Sequence, residues 1–222
     1  MDKSTIEYLE MLSRVKQGIN EILPILFDDG QLDRGLEDNE NHSRYFGYKT
    51  GLDTDFEKYL SEQIDSGESQ LSVLDIGAGR GAFLGDLEKK FGDKISCFGI
   101  SAVNFENPLF TKDHYIIGDA FNVGENYILD EIPRESMNLV TSQFVCHPED
   151  SKRLLKYLNQ VGRILKPGGI SRHLGMNWNN DFLSGIKQSL ENEELLMDYE
   201  FKSQIRNGKY VGGNIISLSK KS

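Results

Sequence analysis

An α/β fold built on a mostly parallel sheet, with helices on both faces, is predicted from three observations. From residue 71 onward, short apolar segments of strand length alternate with helical patterns, the arrangement that parallel sheets require. The first of these segments, Leu71-Ser72-Val73-Leu74-Asp75-Ile76, runs straight into glycines at 77, 79 and 81. Strand, tight turn and helix therefore follow one another without a linker. The end of the chain has a different pattern. Residues 196–204 and 209–219 read as two strands joined by Arg206-Asn207-Gly208-Lys209, and Asn-Gly is a strong hairpin signal. The sheet then has seven strands, the last of them antiparallel.

Each element has its own warrant. Ser4-x-x-Glu7 is a capping-box pattern, and Ile6, Leu9, Leu12, Val15, Ile19 and Ile22 behind it recur at helical spacing. Pro24 ends or kinks that helix, and Asp28-Asp29-Gly30 turns the chain. Residues 30–44 are acidic and polar and read as a surface loop or lid; a second helix is expected over about 54–65 (Phe56, Tyr59, Leu60, Ile64). Residues 1–66 thus form a helical extension to an α/β core over 67–222, in a single domain. Strands are expected at about 71–76, 95–100, 114–118, 137–144 and 169–177. Helices are expected near 80–91, 121–131 and 149–166, the last from the 4-3-4 spacing of Leu154, Leu158, Val161 and Leu165. Asn107-Pro108 shortens or distorts any helix over 101–113.

Composition narrows the function. A 222-residue chain buries a full core, and no apolar run reaches membrane-spanning length. Acids and lysines among the N-terminal apolar residues argue against a secretory signal. Two cysteines, Cys97 and Cys146, make no disulfide framework, which suits a reducing, cytoplasmic setting. The formal charge of −10 opposes broad contact with nucleic acid, which needs clustered Lys and Arg. His42, His114 and His173 have no metal-ligand spacing with each other or with the cysteines, so no metal is expected.

The glycine turn is where a ligand belongs. Without a Cβ the backbone bends sharply and a nucleotide-like molecule comes close, at the carboxyl end of the strand. Gly77-Ala78-Gly79-Arg80-Gly81-Ala82 also fits the dinucleotide pattern. Asp75, two residues before Gly77, would repel a pyrophosphate and attract an ammonium. The acid expected about 20 residues on to hold a ribose is missing from Cys97-Phe98-Gly99-Ile100-Ser101.

Residues 71–85 resemble motif I of the class I S-adenosylmethionine-dependent methyltransferases. Ile116-Ile117-Gly118-Asp119-Ala120 is similar to the third-strand motif, Met137-Asn138-Leu139-Val140-Thr141-Ser142-Gln143-Phe144 to the fourth strand, and Arg163-Ile164-Leu165-Lys166-Pro167-Gly168-Gly169 to the turn into the fifth. The four occur in the family's order over about 71–178. The resemblance implies a Rossmann-like fold, S-adenosylmethionine as cofactor, and methyl transfer. It places Asp75 at the amino-acid end of the ligand, Gly77, Ala78, Gly79 and Gly81 in the turn beneath it, and Asp119, Ala120 and Phe121 around the adenine. Ser142 and Gln143 then lie where the methyl group points. Ser101 stands where most members carry the acid that takes both ribose hydroxyls; a serine makes one neutral bond.

Two readings stay open at several of these positions. Asp119 suits the adenine and also an N-cap. His147, in Cys146-His147-Pro148, suits a general base with an ordinary pKa near 6.5 and also a loop residue capping the next helix. Tyr45, Phe46 and Tyr48 suit a π face over the sulfonium and also anchors of the N-terminal helices. Trp178 suits a cavity wall and also plain packing. The acidic charge favours a small-molecule acceptor and no membrane partner. The alternatives are an RNA acceptor, from a faint similarity of Gln143-Phe144 and His147 to the messenger-RNA cap methyltransferases, and a binding module without catalysis, from Ser101.

Overall fold

The structure is a computed structural model, and it describes residues 49, 52, 54–101, 109–111, 114–117, 120, 128–146, 151–175, 178–190, 195–206 and 209–221; at 128, 143–146, 202–206 and 209–212 it describes the main chain. The chain divides between His42 and Ser43, and all described residues belong to the unit Ser43–Ser222. Its strands are β1 (Leu71–Ile76), β2 (Ile95–Ser101), β3 (Tyr115–Ile117), β4 (Met137–Cys146), β5 (Leu165–Gly175), β6 (Leu195–Arg206) and β7 (Lys209–Lys220). Its helices are α1 (Phe56–Asp65), α2 (Ala82–Phe91), α3 (Ile128–Glu131), α4 (Ser151–Ile164) and α5 (Asn180–Leu190).

The strands form one sheet in the order β3-β2-β1-β4-β5-β7-β6. β1 to β5 are mutually parallel. β7 is antiparallel to both β5 and β6, so it alone is reversed. The chain winds outward from β1 to β3 and then returns to place β4 on the other side of β1. That reversal makes a switch point between β1 and β4, and in open α/β sheets the crevice at the carboxyl ends of such strands receives the ligand.

Alternation along the strands divides the core in two. Val73, Cys97, Leu139, Leu174 and Ile215 face α1 and α2, where Phe56, Leu60, Phe83, Leu84 and Leu87 are buried. Leu74, Ile76, Ile100, Val140, Ile216 and Leu218 face α3, α4 and α5. Asp55 caps α1 by accepting the Lys58 N–H at 3.1 Å. Tyr59 in α1 donates its hydroxyl to the Asn138 carbonyl of β4 at 3.0 Å, and burial pushes its pKa up to about 12. The helix assigned by sequence to the N-terminal extension is therefore built into the core.

Three elements differ from expectation. Leu165 opens β5 rather than closing α4: it pairs with Met137, and the register then jumps so that Ile170 pairs with Leu139. The Lys166–Gly169 turn thus lies inside the strand. Of the helix expected over 121–131, Ile128–Glu131 is helical and the rest lies outside the described residues. α5 has no counterpart among the expected elements; Leu183, Ile186 and Leu190 are its buried face, and Asn179 caps it by accepting the Phe182 N–H at 2.8 Å.

A polar seam crosses the second half of the core. The Tyr157 hydroxyl and His173 Nδ1 are 3.0 Å apart, and His173 Nε2 is 2.9 Å from Ser171 Oγ. Burial, reinforced by the Arg172 charge, pushes His173 down from 6.5 to about 3, so the folded chain holds it neutral. Below its unfolded pKa near 6.5 the unfolded chain takes up a proton that the folded chain refuses. Stability is therefore lost as pH falls from about 6.5 toward 3. Between about pH 7 and pH 4.5 the expected loss through this residue is about 2–3 kcal/mol. Urea midpoints at both pH values, compared with His173→Gln, measure it; equal pH slopes in the two proteins would contradict it.

Candidate functional site

The crevice at the carboxyl ends of β1 and β4 is built from a glycine turn and a line of buried polar residues. After Ile76 the backbone passes through Gly77, Gly79 and Gly81 with φ of 82°, 54° and 73°, left-handed values that residues with a Cβ rarely adopt. The Ile100 carbonyl accepts the N–H groups of both Gly77 and Ala78, at 2.8 and 2.9 Å, and the Ala78 carbonyl accepts the Gly81 N–H at 2.7 Å. The Tyr115 hydroxyl donates to the Gly79 carbonyl at 3.1 Å.

One flank of this turn is closed and the other is open. A Cβ on Gly81 would lie 2.1 Å from the Phe110 ring, and one on Gly99 would lie 2.7 Å from it. A Cβ on Gly79 would meet nothing within 4 Å among the described residues. The lack of a Cβ on Gly81 admits Phe110 beneath the turn. The Ala78 N–H is committed to the Ile100 carbonyl. Gly79, unlike Gly81, has room above it among the described residues.

Asp75 is fully buried. Its Oδ1 accepts the Thr141 hydroxyl at 2.8 Å, because β1 and β4 are in parallel register with Asp75 opposite Thr141. Burying a carboxylate demands such partners, and this one ties the end of β1 to β4. Thr141 is a site residue that sequence reasoning missed: its partner is 66 positions away, and register between strands is not written in local spacing. Next to it, Ser142 stands opposite Ile76 and His173. Its hydroxyl is fully buried and has no hydrogen-bond partner among the described residues. An unmet buried hydroxyl costs about 1–3 kcal/mol, and here it sits at the switch point.

Ser101 ends β2 and is buried, and Ala120 is buried just past β3. The main chain of Gln143 continues β4 opposite Leu174. Tyr45, Asp119, Phe121 and His147 lie outside the described residues. Trp178 stacks on Phe182 with ring centroids 6.3 Å apart. The described residues bring together Asp75, Thr141, Ser142, Ser101 and the glycine turn on one edge of the sheet. A cavity of about 280 Å³ lies between α4 and α5, lined by Lys152, Leu155, Asp181, Phe182 and Ile186 among others; it includes none of these residues. Among the described residues no three His, Cys, Asp or Glu side chains gather as a metal would need.

These features fit a ligand with an ammonium and a ribose: a carboxylate near the end of β1, a hydroxyl at the end of β2, a second on β4 level with the end of β1, and space over Gly79 among the described residues. No family model matches the chain, and no curated protein matches it. Solved structures do. A methyltransferase from Methanosarcina mazei, described as S-adenosylmethionine-dependent, is 17% identical with a TM-score of 0.49, over 71% of this chain and 97% of that one. One so described from Archaeoglobus fulgidus is 17% identical with a TM-score of 0.49, over 80% and 99%. The precorrin-6y C5,15-methyltransferase of Geobacter metallireducens is 18% identical with a TM-score of 0.42, over 69% and 81%. At these identities a likeness concerns fold alone. The strand order, with β7 alone reversed, is itself the Rossmann-like fold implied by the resemblance to class I S-adenosylmethionine-dependent methyltransferases.

Proposed function

We propose that this chain is an S-adenosylmethionine-dependent methyltransferase acting on a small-molecule acceptor. The observation that carries the reading is the glycine turn at the β1–β4 switch point, open over Gly79 and flanked by the buried Asp75 carboxylate. When bound, S-adenosylmethionine supplies a methyl group on a sulfonium, which is already a good leaving group. The protein then has to align the acceptor and exclude water, and alignment alone lowers a barrier by about 7–11 kcal/mol.

In this reading Asp75, held by Thr141, fixes the end of β1 and sets a negative charge beside the ligand's ammonium. Ser101 gives the ribose one neutral hydrogen bond. Ser142 offers its buried hydroxyl on β4, level with the end of β1 and beside the main chain of Gln143. Asp119, Ala120 and Phe121 hold the adenine, Tyr45 closes over the sulfonium, and His147 takes a proton from the acceptor where one must leave.

Titration calorimetry with S-adenosylhomocysteine tests the reading, with saturable binding expected in the micromolar range. A folded sample that takes up no heat at about millimolar ligand overturns it. The serine at 101 favours a second reading, a module that binds the cofactor without catalysis. Slow turnover of labelled cofactor with acceptor mixtures separates the two, since a pure binding module releases no label.

A further inference from the structure

Asp75 belongs to a polar row that crosses the sheet. It stands opposite Thr141 of β4, Thr141 stands opposite Arg172 of β5, and Arg172 stands opposite Ser217 of β7. Directly opposed residues share a face, so all four lie on the side of the sheet that α1 and α2 cover, among Val73, Leu139, Leu174 and Ile215. Thr141 donates to Asp75 at 2.8 Å, and Arg172 Nη1 donates to the Ser217 hydroxyl. The row thus holds a carboxylate and, two strand spacings or about 10 Å along it, a guanidinium.

That guanidinium is incompletely used. Arg172 is half-buried, and its Nε is fully buried with no hydrogen-bond partner among the described residues. No carboxylate among the described residues comes within ion-pair distance of it. Asp198, on the far side of the row, stands opposite Ser217; it is exposed and accepts the Tyr199 N–H at 2.9 Å. A buried N–H left without a partner is costly. The Nε edge of a guanidinium is a planar fork that takes two oxygens of a carboxylate or a phosphate at once.

The geometry points to Arg172 as the anchor for an oxyanion, a carboxylate or a phosphate, carried by the methyl acceptor. The assignment of that oxyanion to the acceptor rests on the methyltransferase reading. In that reading the cofactor lies over β1, β2 and the end of β3, with its ammonium beside Asp75. Its methyl group then faces β4, and β5 is the next strand beyond. One part of the row takes the cation of the cofactor and the other takes the anion of the acceptor, with Thr141 between them. An acceptor docked the other way round would set its anion against Asp75, so the row also fixes orientation.

Titration calorimetry on the full chain tests this, with acetate and inorganic phosphate as separate probes and chloride at equal ionic strength as the blank. Each probe is titrated with and without S-adenosylhomocysteine. Saturable binding of at least one probe in roughly the millimolar range is expected; tighter acetate marks the acceptor as a carboxylic acid, and tighter phosphate marks it as a phosphate ester. Arg172→Gln is expected to weaken that binding about tenfold or more. Arg172→Lys keeps the charge but loses the Nε fork, and is expected to weaken it about fivefold or more. Circular dichroism shows whether each variant is folded, and Arg172→Lys carries the comparison if Arg172→Gln is not. A wild type that binds neither probe at about 100 mM, or variants that bind as tightly as the wild type, overturn the proposal. Anion binding that depends on Arg172 in a protein that takes up no S-adenosylhomocysteine overturns the cofactor reading, and with it the acceptor's part, while the oxyanion site stands.

Discussion

Gly81→Val is expected to be the most damaging single substitution in the nucleotide-type turn. Gly81 has φ of 73°, and a Cβ there would enter the Phe110 ring at 2.1 Å. Strain in the left-handed region costs about 1–3 kcal/mol, and forcing atoms into a filled core adds about 1–3 kcal/mol. Phe110 is itself buried against Gly99 and Tyr115, so moving aside would disturb those contacts. A loss of about 3 kcal/mol or more in urea denaturation is the expected result. Gly79→Ala supplies the contrast. Its Cβ would meet nothing within 4 Å, so only the strain of φ 54° is felt, at about 1 kcal/mol. The same methyl group would stand in the space that the proposed ligand enters. Gly79→Ala is therefore expected to keep most of the stability and to lose tenfold or more in affinity for S-adenosylhomocysteine. Equal stability losses for the two variants would contradict the closed and open flanks described above.

Asp75→Asn is expected to separate charge from support. The amide keeps an oxygen for the Thr141 hydroxyl, which now bonds Asp75 at 2.8 Å, so thermal stability should change by less than about 1 kcal/mol. The negative charge is lost, and with it a charge-assisted contact of roughly twice the strength of a neutral one. Affinity for S-adenosylhomocysteine should fall at least tenfold. Asp75→Ala removes both functions. It leaves the Thr141 hydroxyl buried without that acceptor, costing about 1–3 kcal/mol, and should bring binding below detection. If Asp75→Asn binds as tightly as the wild type, the carboxylate is a strut between β1 and β4 and nothing more.

The parts of this fold written in local sequence were legible. β1 lies at the expected bounds because a near-continuous apolar run ending in glycines has few other solutions. The C-terminal hairpin was legible from Asn207-Gly208, and its strands pair through to Arg206 opposite Lys209. The misreadings come from neighbours that local pattern does not encode. Leu165 continues the 4-3-4 spacing of α4, yet β4 captures it as the first residue of β5. α5 carries three buried apolar residues among polar ones and a central Gly185, too thin a stripe to stand out. The same holds at the candidate site. Asp75 and the glycines stand out by residue type and spacing, whereas Thr141, Tyr115 and Phe110 act on the turn only through strand register and loop packing.

β5 accompanies β7 only as far as the pair Leu174–Ile215. β6 and β7 continue together for six further pairs, from Phe201–Asn214 to Arg206–Lys209. Because β7 runs opposite to β5, this overhang extends beyond the carboxyl edge of the sheet, the edge that carries the switch point. Among the described residues no third strand joins this overhang, and two strands are marginal by themselves. Gly212 and Gly213 fall just past the end of the support, and a Cβ on Gly213 would press to 2.4 Å against the Gly175 carbonyl. The outer half of the β6–β7 pair is thus a cantilever, tied at its root where the buried Asn214 accepts the Trp178 N–H.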